Sequence, residues 1–176
     1  MEQIQSRTIL RGFFVDVAEK RFRRADGSEV ERQVVEHPGS VGILAHDEEC
    51  AYLVRQPREA VGEDGLLEIP AGTLDIPGES ELECAERELG EEVGLRAEQW
   101  AELHAIYPSP GFLSEKLTIF EATGLSAGRG EVDETEQIEI VRLPLGDLDA
   151  TLGEIEDAKT LIALLLLRDK LRGRAG

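Results

Sequence analysis

The first third of the chain is dense in β-branched, aromatic and aliphatic residues, interrupted at short intervals by polar turn formers. Such segments are typical of strands, and they lie at residues 8–17, 30–36, 41–45 and 51–55. Ala25-Asp26-Gly27-Ser28 predicts a turn, because Asp-Gly favours the backbone of a tight hairpin. His37-Pro38-Gly39 ends the second strand. We therefore expect the N-terminal part to be β structure.

The rest of the chain alternates between strand and helix patterns. Short apolar segments predict strands at residues 66–69, 100–107, 116–122 and 138–143. Leu82, Ala85 and Leu89 recur at helical spacing within residues 80–92, and Gly94 is placed to end that helix. A second helix is expected at residues 157–171, and a glycine- and acid-rich loop at 124–135. Mixed strands with two major helices predict a layered α/β (α+β) fold.

The charge balance narrows the classes of function. The formal net charge is -18, which argues against a nucleic-acid partner because phosphate backbones are bound by basic surfaces. An anionic substrate would need a local source of positive charge, and a divalent cation supplies it.

The cellular compartment is predicted from three sequence features: apolar runs, the N-terminal pattern and the cysteines. No apolar run approaches the roughly 20 residues that a membrane helix needs, and the N-terminus lacks the pattern of a secretory signal. Cys50 and Cys84 resemble neither a disulfide framework nor a zinc site. We expect a cytoplasmic protein with two free thiols and no membrane partner.

The most informative stretch is Arg87-Glu88-Leu89-Gly90-Glu91-Glu92. On a helix, Glu88 and Glu92 share a face, and Glu91 lies beside them. A solvated helix face would explain the charge, but not the preceding Pro70-Ala71-Gly72 or the glycine stop. Mg²⁺ is typically held by one or two carboxylates plus substrate phosphates, and this face could provide them.

From Gly72 to Leu95 the chain resembles the Nudix box, Gly-x5-Glu-x7-Arg-Glu-U-x-Glu-Glu-x-Gly-U, in which U is aliphatic. The match is complete from Glu79 onward, but six residues rather than five separate Gly72 from Glu79. We expect a local bulge near residues 75–77 that leaves the helical ligands in place. The resemblance implies a Nudix-like α/β/α sandwich with a mixed sheet, preceded by an N-terminal antiparallel β extension.

The resemblance also implies roles for the charged residues of the motif. Glu88 and Glu92 would bind the metal directly, Glu91 directly or through water, and Ala71 through its carbonyl. Arg87 would orient the glutamates, and Glu79 would fix the loop against the helix. The implied cofactor is Mg²⁺, with Mn²⁺ as the alternative.

Segments outside the box resemble the ADP-ribose pyrophosphatases of this family. Residues 108–115 are similar to their Ser-Pro-Gly-x-x-x-Glu signature, and residues 54–58, 66–72 and 157–160 agree with it. Taken alone, residues 108–111 would be an ordinary turn. The resemblance implies a set of substrate-binding residues: Arg32, Arg58, Ser109, Pro110, Gly111 and Glu115. An ordinary surface arginine is the alternative for Arg32 and Arg58.

Hydrolysis of a phosphoanhydride also needs an activated water, and a carboxylate can accept its proton. In this group the base comes from an acidic loop away from the box, and the matching stretch here is Asp133-Glu134-Thr135-Glu136. Glu134 is the first choice, and Glu136 is a further metal ligand or the alternative base. Both could also be ordinary acids of an acidic protein. The predicted catalytic set is Glu134, Glu88 and Arg87.

The predicted reaction is Mg²⁺-dependent hydrolysis of the diphosphate bond of ADP-ribose, or of a related nucleoside diphosphate sugar, to AMP and ribose 5-phosphate in the first case. Another nucleotide sugar or a dinucleoside polyphosphate is the alternative substrate, and a non-catalytic nucleotide-binding module is the alternative class. Residues 1–38 are expected to form the β extension, which could contribute to a homodimer, and residues 39–176 the hydrolase domain.

Overall fold

The computed structural model describes residues 1–12, 15–128 and 137–174, without the side chain of the last, and these divide into two compact units. The first unit comprises residues 1–39 and 106–117. Its antiparallel sheet has the order β1-β2-β3, formed by Glu2–Arg11, Asp16–Arg23 and Glu29–Glu36. Residues 106–117 join this sheet at Val35, whose N–H donates to the Phe112 carbonyl at 2.8 Å and whose carbonyl accepts from Ser114 N at 3.0 Å.

The predicted continuous strand at residues 8–17 is wrong, because the chain reverses direction within it. Arg11 of β1 pairs with Asp16 of β2, and the Gly12 N–H donates to the Val15 carbonyl at 3.1 Å. A Cβ at Gly12 would lie 2.3 Å from that carbonyl oxygen. Hydrophobic density alone cannot separate one strand from two, and Gly12 is the residue that marks the reversal.

The turn predicted at Asp26-Gly27 is confirmed. Gly27 has a φ of 83°, in the left-handed region that glycine adopts without a Cβ penalty. The Asp26 carboxylate accepts from the Ser28 N–H at 3.0 Å and from its hydroxyl at 2.7 Å. These local contacts connect β2 to β3.

The second unit comprises residues 40–105 and 118–176. Its strands continue the numbering: β4 Ser40–His46, β5 Cys50–Arg58, β6 Glu63–Glu68, β7 Ala71–Thr73, β8 Leu95–Ile106, β9 Leu117–Ala127 and β10 Glu139–Pro144. The sheet order is β10-β5-β4-β9-β8, with β6 paired to β5 and β7 paired to β4. Strand β9 runs through residues 124–127, so that part of the predicted loop 124–135 is wrong, and residues 129–136 lie outside the described residues.

Helix α1, Glu81–Glu88, begins at Ser80 with a capping box: the Ser80 hydroxyl accepts from Glu83 N, and the Glu83 carboxylate accepts from Ser80 N. It continues as a π turn over Leu89–Val93 and ends at Gly94, whose φ is 71°. The predicted helix and its glycine stop are therefore confirmed. A 3₁₀ turn at Leu145–Asp147 and the short α2, Leu148–Thr151, were not predicted, and the C-terminal helix α3 spans Ala158–Arg174.

The two long helices cover opposite faces of β4. Val41, Ile43 and Ala45 are fully buried in one cluster with residues of α1, namely Cys84 and Ala85. Successive side chains of a strand point to opposite faces, so His46 lies on the other side of the sheet. There it contacts Glu121, which also pairs with Lys170 of α3. The predicted α/β/α layering follows from this alternation.

The contact between α3 and the sheet is partly ionic. Glu121 is 8% exposed, and its carboxylate accepts hydrogen bonds from Lys170 Nζ at 2.5 Å and lies 2.9 Å from His46 Nε2. Burial acts to raise the pKa of Glu121, but these two partners outweigh it and lower that pKa. No helix in the described part of the chain is long and apolar enough to cross a bilayer.

Candidate active site

Arg87 organises the acidic end of α1. Its Nε and Nη2 donate to the two carboxylate oxygens of Glu79 at 2.9 and 3.1 Å. Its Nη1 donates to Glu88 at 2.7 Å and to Glu91 at 2.9 Å. The hydrogen bond from Arg87 lowers the pKa of Glu79, and the Glu79 bond together with the neighbouring carboxylates raises the pKa of Arg87. One guanidinium thus connects the loop before α1 to two of the predicted metal ligands.

The carboxylates of Glu88 and Glu92 converge on two consecutive residues of the sheet. Glu92 is 6% exposed, and its Oε2 accepts from the Ala71 N–H at 3.0 Å. A Cβ at Gly72 would lie 2.2 Å from both Cγ and Oε1 of Glu88. Glycine at position 72 therefore lets the Glu88 side chain approach the backbone this closely, and any larger residue there would displace that side chain.

The π turn lies at the same place. Glu91 and Glu92 belong to it, while Glu88 is the last residue of the regular helix. Single π turns within helices are frequent at functional sites. Here the turn sets how Glu92 is spaced from Glu88, and Gly90 is one of its residues.

The additional residue between Gly72 and Glu79 is accommodated in a turn. The Glu79 N–H donates to the Ile76 carbonyl at 3.2 Å, and Gly78 has a φ of 89°. Glu79 nevertheless reaches Arg87 with both carboxylate oxygens. The longer loop is compatible with the contact that ties it to the helix.

The donor set fits a hard divalent cation. Glu88 and Glu92 offer carboxylate oxygens beside Ala71, and Glu91 lies next to Glu88 through their shared Arg87. Among the described residues, no three acidic, His or Cys side chains form a ready-made cage for an ion. Mg²⁺ does not require one, since it keeps several waters and takes oxygens from the substrate. Glu134 and Glu136, the predicted base and further ligand, lie outside the described residues.

The predicted substrate-binding residues fall in both units. Arg58, at the end of β5, donates to both oxygens of Glu68 at 2.5 and 3.0 Å. Arg32 is exposed on β3, where its Nη1 donates to the Glu31 carbonyl at 2.7 Å. Ser109, Pro110, Gly111 and Glu115 belong to the first unit with Arg32. The Ser109 carbonyl accepts from Leu113 N at 3.0 Å, closing the turn that Pro110 and Gly111 occupy.

Sequence reasoning missed the importance of Glu68, which is 1% exposed. Burial acts to raise its pKa, but the hydrogen bonds from Arg58 and the charge of Lys159 outweigh this and lower it. The available signal was a single acid in the apolar run Leu66-Leu67-Glu68-Ile69, because a buried carboxylate needs a partner. Lys159 and Thr160, noted only as part of a resemblance, both lie within this region.

An acid-bearing helix packs on a mixed sheet, and two of its carboxylates converge on strand β7. This is an α+β arrangement whose oxygen donors suit a divalent cation. The chain belongs to the Nudix family, whose NUDIX domain matches residues 36–164.

Relatives support this membership over nearly the whole chain. The sequence is 34% identical over 180 residues to an ADP-ribose pyrophosphatase of Bacillus subtilis (strain 168), covering 97% of this chain and 96% of that protein. It is 40% identical over 137 residues to an ADP-ribose pyrophosphatase of Mycobacterium tuberculosis (strain ATCC 25618 / H37Rv), covering 77% and 66%. A crystal structure of an ADP compounds hydrolase matches with a TM-score of 0.81 at 28% identity, covering 99% and 96%. The predicted fold and the predicted Nudix pyrophosphohydrolase are confirmed. Enzymes of this family generally use divalent metal ions.

Proposed function

We propose that this enzyme hydrolyses the diphosphate of ADP-ribose to AMP and ribose 5-phosphate with Mg²⁺. The observation that carries the proposal is the convergence of two glutamates on strand β7: Glu92 accepts from the Ala71 N–H, and Glu88, which Arg87 holds, lies against Gly72. The substrate follows from the relatives, two of which are ADP-ribose pyrophosphatases. Water adds to one phosphorus, and the bond from that phosphorus to the bridging oxygen breaks.

We propose two roles for the residues of the site: binding the metal and positioning the groups that bind it. Glu88, Glu91, Glu92 and the Ala71 carbonyl would bind Mg²⁺, which when bound neutralises phosphate charge and acidifies water. Arg87 keeps Glu88 and Glu91 in place through its Nη1. Preorganised groups of this kind avoid reorganisation during the reaction.

Proton transfer is proposed to use the acidic loop. Glu134 would accept the proton of the attacking water, and Glu136 would act as a further metal ligand or as the alternative base. A carboxylate within hydrogen-bond reach of a water that is already acidified is a competent base. This assignment rests on the resemblance of residues 133–136 to the acidic loop of the group.

Substrate binding is proposed for Arg32, Arg58, Glu115 and the turn of residues 109–111. Arginine can stack on a base or pair with phosphate, and Arg58 retains access to solvent, with 42% of its side chain exposed. We also propose a cytoplasmic homodimer with the N-terminal strands at its interface. Size-exclusion chromatography with light scattering at several concentrations tests the dimer, and a monomer throughout would contradict it.

The decisive assay is a substrate panel read by identifying the products. ADP-ribose with Mg²⁺ should give AMP and ribose 5-phosphate, and parallel reactions contain other nucleoside diphosphate sugars and dinucleoside polyphosphates. Intact ADP-ribose beside a cleaved alternative would show that the substrate is misassigned.

Matched variants test the metal site itself. Glu88→Gln removes a proposed ligand charge and should lower kcat by at least about 100-fold, since a bound metal contributes several kcal/mol. Glu86→Gln, an exposed position on the same helix, should retain activity. Circular dichroism of both variants checks that they are folded. An active Glu88→Gln enzyme would show that the metal assignment is wrong.

A further inference from the structure

Four consecutive residues, ending with the proposed metal ligand Ala71, are each held by a different partner. Glu68 is held by Arg58 and Lys159, and the Ile69 N–H by Thr160. The Pro70 carbonyl accepts from Ile43 N at 2.8 Å, and the Ala71 N–H donates to Glu92. Each residue from Glu68 to Ala71 is therefore held, Glu68 through its side chain and the other three through the backbone.

Two of these anchors come from the start of α3. Thr160 is fully buried, and its hydroxyl accepts from the Ile69 N–H at 2.7 Å while donating to Asp157 at 2.6 Å. The same Asp157 oxygen accepts from Thr160 N at 2.9 Å, as the residue that caps a helix does. A single hydroxyl thus links the cap of α3 to the backbone two residues before Ala71.

Lys159 forms the second connection. Its Nζ contacts a Glu68 carboxylate oxygen and lies 3.1 Å from Asp157. Only 12% of the Lys159 side chain and 2% of the Glu68 side chain are exposed. With the partly exposed Arg58 included, two cations face two carboxylates, so the charges of this group are balanced. Buried pairs that are balanced and hydrogen-bonded hold one geometry rather than several.

We propose that Thr160 and Lys159 are positioning residues for the metal site, acting through residues 68–71. Displacing the Ile69 backbone would move both the Ala71 carbonyl and the N–H that holds Glu92. Groups that orient metal ligands typically contribute 10- to 100-fold to metal affinity or activity. The inference rests on the proposed function, because it takes Ala71 and Glu92 to be metal ligands.

The test is a titration with Mn²⁺ alone, followed by electron paramagnetic resonance of the free ion. Thr160→Val keeps the size of the side chain but can neither accept from Ile69 nor donate to Asp157, and it should weaken Mn²⁺ binding by about 10-fold. Thr160→Ser keeps the hydroxyl and should restore affinity to within about twofold of the wild type. Thr118→Val is the matched control, because Thr118 is equally buried and its hydroxyl has no hydrogen-bond partner among the described residues.

The metal dependence of turnover gives a second readout. Thr160→Val should raise the half-saturating Mg²⁺ concentration by a similar factor, while kcat at saturating Mg²⁺ changes less than twofold. Lys159→Met, which removes one cation from Glu68, should shift metal affinity in the same direction and decides the question if Thr160→Val does not fold.

Each outcome has a distinct meaning. Unchanged Mn²⁺ affinity in a folded Thr160→Val or Lys159→Met, with only a lower Tm, would overturn the positioning role. Failure of Thr160→Ser to restore affinity would do so as well. The wild-type titration tests the metal premise separately: if the wild-type protein binds no Mn²⁺, or Glu92→Gln binds it equally well, the proposed function fails instead.

Discussion

Replacing Gly72 with alanine should displace Glu88, a proposed metal ligand, while leaving the stability of the fold nearly unchanged. The new Cβ would lie 2.2 Å from Glu88, whereas ordinary van der Waals contact begins at 3.4 Å, so the Glu88 side chain must retreat by about 1.2 Å. Gly72 is not among the glycines with positive φ, so its backbone accommodates alanine. The close contact with Glu88 is therefore the cause of the expected effect.

The expected changes in stability and in rate follow from the displacement of Glu88. Moving Glu88 into a poorer rotamer costs about 1 kcal/mol, and the lower entropy of an unfolded chain with alanine offsets about 0.4–1 kcal/mol of it. Tm should therefore change by no more than about 4 °C. Misplacing an active-site group by about 1 Å costs roughly 100-fold in rate, which is about 2.7 kcal/mol of transition-state stabilisation.

Two measurements on one preparation check this reasoning. The kcat/KM for ADP-ribose should fall roughly 100-fold in Gly72→Ala, while thermal unfolding without metal stays close to that of the wild type. Gly146→Ala is the control, because a Cβ there meets nothing within 4 Å, and it should change neither quantity. A Gly72→Ala enzyme within threefold of wild-type activity would refute the role assigned to the Gly72–Glu88 contact.

Three further predictions concern the base, the metal and the pH dependence. Glu134→Gln and Glu136→Gln identify the base: the residue whose substitution lowers kcat more at saturating metal, by about 100-fold or more, is the base. If both variants are as active as the wild type, the base lies elsewhere. Mg²⁺ at 100 times its Kd should stabilise the fold by about 2.7 kcal/mol, which raises Tm by roughly 5–11 °C. Glu92→Gln should lose most of that rise in Tm. An unchanged rise would contradict the role of Glu92 as a ligand. The lowered pKa of Glu121 means that its ionic contacts stabilise the fold above the ordinary pKa of 4.5 and are lost as pH falls below it. Lys170→Met should therefore lower the free energy of unfolding by about 2 kcal/mol at pH 7, and by less as the pH falls through the lowered pKa of Glu121, in denaturant titrations. A loss that does not change with pH would contradict an ionic role.

Local rules predicted the helix at the site. Its start, its end and its apolar face each depend on residues a few positions apart: the Ser80–Glu83 capping box, the αL conformation of Gly94 and the spacing of Ala85 and Leu89. The reversal at Gly12 escaped prediction, because the same local density of apolar residues is compatible with one strand or two.

The partners of the buried charges could not be predicted, because they are remote in sequence. Lys159 meets Glu68 and Thr160 meets Ile69 across 91 positions, and Glu92 meets Ala71 across 21. Composition indicates which residues carry charge, but only the folded sheet brings these groups together. Glu88 and Glu92 lie at i and i+4, where two like charges without other partners would repel each other. Each has an anchor that helical spacing does not suggest, Arg87 for Glu88 and the Ala71 N–H for Glu92.

These anchors explain how an acidic chain can act on an anionic substrate. Arg87 bonds to Glu79, Glu88 and Glu91, and the charge of Arg58, which pairs with Glu68, also acts on Glu92, so these five carboxylates outnumber the two arginines. A diphosphate that approaches these carboxylates without a cation would be repelled by their charge. We therefore expect metal and substrate to bind with positive coupling, since each reduces the charge that opposes the other. In the proposed mechanism the carboxylates would hold the cation, and the cation would reduce the repulsion of the diphosphate.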